Sequence, residues 1–64
     1  MIVLTLSGDG EGAEQEDLFI NPAKIIAFLV NEDGETDVVC VDQTVFVVKE
    51  SPLTIYNLIN KQIN

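Results

Sequence analysis

Apolar residues run along the chain in five short blocks and then change period. Residues 2–6 (Ile2, Val3, Leu4, Thr5, Leu6) read as a first strand, and 18–20 (Leu18, Phe19, Ile20) as a second that ends at Asn21 and Pro22. Proline lacks a backbone donor and holds the residue before it extended, so the chain turns there. Asn21 is placed to cap a single helical turn over Pro22, Ala23 and Lys24. Block 25–30 is apolar at all six positions. Its periodicity fits a strand or a buried helical turn; its length, its branched residues and the Asp33-Gly34 reversal that follows favour the strand. A return strand over 36–41, a tighter turn at Asp42-Gln43 and a last strand over 44–49 complete the β pattern. From Ser51 the spacing becomes helical. Leu53, Tyr56, Ile59 and Ile63 make a stripe that Ile55 and Leu58 widen. Ser51-Pro52 supplies an N-cap followed by proline at the first helical position, where its missing N–H costs nothing. The predicted fold is mostly β (α+β): a small antiparallel sheet or curled barrel of about five strands, with one C-terminal helix over 52–63, in a single domain.

The central strands lack the alternation of a sheet with one wet face. Ile25, Ala27 and Leu29 are expected on one side and Ile26, Phe28 and Val30 on the other. Val39 and Val41 likewise oppose Val38 and Cys40, and Phe46 and Val48 oppose Val45 and Val47. One short helix covers only one of these faces. The other is enclosed by curling of the sheet or covered by a second copy, because leaving it wet forfeits roughly several kcal/mol at about 25 cal/mol per Å². That is a large part of the stability of a 64-residue chain. Disulfides within one chain are ruled out by the single cysteine, Cys40, and a Cys/His zinc site by the absence of histidine. Oligomerisation is the remaining supplement for so small a core.

Between the first two blocks, residues 7–17 hold three glycines and five carboxylates (Asp9, Glu11, Glu14, Glu16, Asp17) and read as an acidic loop. Charge narrows the partners. Three lysines and no arginine face eleven carboxylates, for a net charge of −8. Nucleic-acid phosphates and anionic membranes are therefore disfavoured, and a basic protein is the charged partner that fits. No basic, apolar leader opens the chain, and its longest apolar run has six residues. These features and the lone thiol fit the cytoplasm and no membrane.

Candidate chemistry is sparse. Cys40 sits among valines with no histidine to activate it, so it reads as a small buried hydrophobe. A serine or threonine nucleophile lacks a base for the same reason. The carboxylates of 7–17 and the 31–37 cluster suit a hard cation by type, but neither follows the spacing of a twelve-residue calcium loop. Gly8, Gly10 and Gly12 alternate with acids that repel a phosphate. No catalytic, metal or cofactor residue is assigned.

The order of the pieces resembles the short flagellar proteins of the FlbD/SwrD type. The resemblance rests on Ile2-Val3-Leu4-Thr5, on Phe19-Ile20-Asn21-Pro22 with Ile25, and on Val47-Val48-Lys49-Glu50-Ser51 followed by Ile55, Leu58 and Ile59. The chain departs from that pattern where a tight Asn-Gly turn gives way to the acidic loop, and where Asp42-Gln43 replaces a second Asn-Gly. The resemblance implies a small cytoplasmic accessory protein without enzymatic activity, linked to flagellar function. The opening Met1-Ile2-Val3-Leu4-Thr5 is also similar to the carbon-storage regulators, dimeric RNA-binding proteins of interlocked strands. Their basic RNA-reading residues are replaced here by Asp, Glu and Gln, so only the dimer is suggested.

The expected function is a non-enzymatic protein-interaction module that self-associates, with a protein partner that is basic if charge selects it. Asp9, Glu11, Glu14, Glu16 and Asp17 of the loop and Phe28 and Phe46 of the outer sheet face are its candidate partner-binding residues. The plainer reading of both phenylalanines as core carries the greater weight. The alternatives are an acidic mimic of nucleic acid that inhibits a basic protein, and a calcium-ordered module.

Overall fold

The blocks of branched residues form strands, as their side chains pack best on a pleated surface. The computed structural model describes residues 1–7 and 16–63. In chain order these are β1 (Ile2–Leu6), β2 (Glu16–Ile20), a 3-10 turn (Pro22–Lys24), β3 (Ile25–Val30), β4 (Thr36–Cys40), β5 (Val45–Val48) and α1 (Pro52–Ile63). The fold is a mostly-β α+β architecture, one five-stranded antiparallel sheet in the order β2-β1-β5-β4-β3 with a single C-terminal helix. β2 and β3 are its two edges, so the sheet is open and the curled-barrel alternative does not apply.

The sheet is two units joined at a narrow seam. β1 and β2 pair along their whole length, from Ile2 opposite Ile20 to Leu6 opposite Glu16. β3, β4 and β5 form a meander. Among the described residues the two units share one ladder pair, Leu6 opposite Val48. Hydrogen bonds of 2.8 Å from Ser7 N to Val47 O and 2.9 Å from Lys49 N to Thr5 O flank that pair. Glu50 reinforces the seam: its carboxylate accepts from Thr5 N at 2.8 Å and from Thr5 Oγ1 at 2.9 Å.

The core lies on the face beneath the helix. Ile2, Leu4, Ile20, Val38, Cys40 and Val48 are buried there around Ile55, with Leu6, Leu18, Ile25, Phe28, Phe46, Leu58 and Ile59 packed against them. Thr36 is also buried. The helix is centred on Ile55, Leu58 and Ile59, whereas Leu53 and Tyr56 of the predicted stripe are exposed. The reason is angular. Residues 55, 58 and 59 share one side of a 3.6-residue turn, and 53 and 56 project well away from it. Ser51 caps the helix as its sequence context requires, Oγ accepting from Thr54 N at 3.2 Å. Asn21 caps the short turn, its Oδ1 accepting from Ala23 N at 3.0 Å.

The strands differ from the pattern read in the sequence in three respects. β2 starts at Glu16, so Glu16 and Asp17 belong to a strand and not to the loop. Pairing with β1 supplies what their polarity conceals, since an edge strand accommodates charge. β4 ends at Cys40 and β5 covers only Val45–Val48. The third difference is a β-bulge. Ile25 lies opposite Cys40 and Ala27 opposite Val39, which leaves Ile26 as the extra residue. A bulge breaks strict alternation, so Ile25 and Phe28 both pack toward the core while Ile26 is 62% exposed.

Candidate functional site

The hairpin turns are built by their own side chains. In the β3–β4 turn Asn31 Oδ1 accepts from Asp33 N at 2.9 Å and Glu35 N at 3.0 Å, and Asn31 Nδ2 donates to Asp37 Oδ1 at 2.9 Å. Gly34 takes φ 81°, the left-handed region that glycine enters without strain. In the β4–β5 turn that role falls to Gln43, at φ 72°. Asp42 Oδ1 accepts from Thr44 N at 3.0 Å. The bonds to Thr44 hold the Asp42 carboxyl below the usual carboxylate range, with help from the charge of Lys24.

Beside this second turn lies an open cleft of about 360 Å³ lined by Ile20, Lys24, Cys40, Val41, Asp42 and Thr44, with Phe46 at its side. Cys40 is its only thiol. Burial, and after it the charge of Asp42, push that thiol above its ordinary value, so it is a poor nucleophile at neutral pH. Among the described residues no cluster of three or more Asp, Glu or Cys is arranged to hold a metal ion. No described helix is long and apolar enough to cross a membrane.

What the described surface does offer is apolar area. On β3, Ile26, Leu29 and Val30 are exposed; Val41, in the β4–β5 turn, and Val45, on β5, are exposed as well. Val39 is half-buried between Ala27 and Val45, its cross-strand partners. At the far side of the sheet Val3 lies opposite Phe19, and both are exposed. Between the two patches lie hydrogen-bonded polar groups on either side of the half-buried Val47. Thr5 is bound to Glu50, Ser7 Oγ donates to the Glu35 carboxylate, and Asp37 is held by Asn31. Exposed apolar groups gathered in patches mark interaction sites more often than the same groups scattered singly.

The residues singled out from the sequence fare differently. Phe28 and Phe46 are half-buried and packed against the core, the weightier of the two readings of these residues, rather than on the outer face. Glu16 and Asp17 are exposed on the edge strand β2, while Asp9, Glu11 and Glu14 lie outside the described residues. Ile26, Leu29, Val30, Val41, Val45, Val3 and Phe19 are exposed apolar sheet and turn residues that the sequence pattern does not single out. Their signal was the surplus of apolar positions itself. Compared with protein-family models, curated proteins and solved structures, the chain matches none.

Proposed function

We propose that this chain is a non-enzymatic protein-interaction module of the cytoplasm that self-associates through the apolar surface its single helix leaves uncovered. The observation that carries the reading is the exposure of Ile26, Leu29 and Val30 on one edge strand beside Val41 and Val45. In water such a cluster stabilises whatever assembly covers it, by up to about 1 kcal/mol for each side chain already half-buried. Self-association also supplies the stability that a core of seven buried apolar side chains leaves short. Any further partner is a protein, basic if it engages the carboxylates. The resemblance to FlbD/SwrD-type proteins points to a flagellar accessory role, which loss of motility on deleting the gene from its source would support.

The test is the mass in solution, by light scattering on a sizing column across a concentration series. A dimer or higher state that persists on dilution is expected. A monomer at every concentration up to the millimolar range overturns the reading. Nucleic-acid mimicry draws less support, because the described carboxylates are split between separate elements: Glu16 and Asp17 on β2, Glu32, Asp33, Glu35 and Asp37 at the β3–β4 turn, Asp42 in the β4–β5 turn and Glu50 before α1.

A further inference from the structure

We infer that the second copy joins at β3, by antiparallel pairing of the two β3 edges into one continuous sheet; this rests on the self-association proposed above and assigns its surface. The argument starts with the backbone. Val41 N donates to Lys24 O and Asn31 N donates to Glu35 O, both across the β3–β4 pair. Groups on a strand alternate in direction, so Leu29, in phase with Asn31, faces β4. Phe28 and Val30 therefore turn their N–H and C=O groups outward, at an edge where no further strand is paired among the described residues. Unpaired edge groups of this kind are a template for another strand.

The two edges of the sheet are not equally protected. β2 carries Glu16 and Asp17, charges of the type that deter edge pairing. β3 carries no charge from Ile25 to Val30, in a chain whose net charge is −8. Its ends are complementary. Lys24 precedes the strand, and Glu32 and Asp33 follow it. Antiparallel pairing that brings outward groups face to face admits two central registers, Phe28 against Phe28 or Phe28 against Val30. Lys24, in the 3-10 turn, and Glu32 and Asp33, in the β3–β4 turn, flank the two opposite ends of β3, which antiparallel pairing brings together. Both registers bring the lysine of each copy to the acidic turn of the other, and a two-fold axis repeats the contact. Ile26, Leu29 and Val30 lose their exposure together. A negatively charged foreign strand would find one lysine and two acids here, whereas a second copy finds its own complement. Within its own chain Lys24 lies near enough to Asp42 to help lower that carboxyl's pKa.

The test uses the full chain and three measurements of the dimer dissociation constant by light scattering. Ile26→Lys places a charge at an exposed position of the edge and is expected to weaken the dimer by at least ten-fold. Val30→Pro removes an outward N–H without touching the β4 ladder and is expected to do the same. Lys24→Glu turns two attractive contacts repulsive, weakening the dimer about ten-fold, and adding Glu32→Lys with Asp33→Lys restores it. Circular dichroism shows which variants keep the fold, and amide exchange of the unaltered chain answers if Val30→Pro does not. The Phe28 and Val30 amides are expected to slow as the dimer fills. A dimer that survives Ile26→Lys, or rapid exchange of both amides at saturation, overturns the edge pairing. If such a dimer is instead broken by Phe19→Lys, self-association stands and only its assignment to β3 fails. A wild-type monomer overturns both.

Discussion

Gln43 is the one described non-glycine residue with positive φ, at 72°. The left-handed region costs an L-residue about 1 kcal/mol or more, which asparagine and aspartate relieve by local bonding and glycine avoids. Asp42, next to it, spends its side chain on Thr44 N and offers Gln43 nothing. Gln43→Gly is therefore expected to raise stability by about 0.5–1 kcal/mol, read as a higher urea midpoint with an unchanged slope. The gain is reduced by the greater freedom glycine has when unfolded, so a midpoint below that of the parent chain would mean that Gln43 makes compensating contacts. The turn itself was legible from the sequence, as a reversal weakened by lack of glycine; its backbone angle was not, because several two-residue reversals fit the same letters. Cys40 shows the opposite case. A lone thiol between valines with no histidine in the chain reads as core, and it is 5% exposed with its pKa raised by burial.

At the level of elements, the pieces that carry the family resemblance have identifiable structural work. Thr5 and Glu50 tie the seam between the hairpin and the meander, Asn21 caps the 3-10 turn, and Ser51 caps α1. Removing the Glu50 carboxylate leaves Thr5 N without its side-chain acceptor at a half-buried position. Glu50→Ala is expected to destabilise by about 2 kcal/mol, since a bond to a charged acceptor contributes roughly 1.5–3 kcal/mol. Glu50→Gln, which keeps one acceptor, should fall between the two in chemical denaturation. An unchanged midpoint for Glu50→Ala would mean that the Leu6–Val48 pair and its two flanking backbone hydrogen bonds hold the seam without the carboxylate. The strands and the helix could be read from branched blocks and a period change because those patterns act within one element. The seam could not. A single opposed pair joins β1 to β5, and nothing local in either strand specifies so short an overlap. The bulge at Ile26 was hidden for a related reason. In a strand apolar at every position a shift of register moves one hydrophobe into the place of another, so the letters do not record it. The bulge sets Ile25 and Phe28 on one side where strict alternation sets them on opposite sides, and the start of β2 is masked by two carboxylates that an edge strand tolerates.

For the whole molecule the decisive quantity is charge. Two copies at −8 repel each other through all their charges, while the complementary contacts at the ends of β3 number only two. At centres about 25 Å apart in water the monopole repulsion amounts to about 10 kcal/mol without salt. At 0.1 M ionic strength, with a screening length of about 10 Å, it falls to about 1 kcal/mol. Each exposed Lys–carboxylate contact contributes at most about 1 kcal/mol and loses only part of that to screening. Repulsion therefore dominates the salt response. Self-association of this chain should strengthen as salt rises from a few millimolar to about 0.1 M, and sizing-column light scattering at fixed protein concentration should show the mass climb with it. Binding to a basic protein runs the other way, because screening removes attraction between opposite charges. One titration thus separates the two kinds of contact. A mass that stays at the dimer down to the lowest salt would mean that the buried apolar area exceeds the repulsion outright, and a mass that falls as salt is added would assign the association to opposite charges and not to the uncovered face of the sheet.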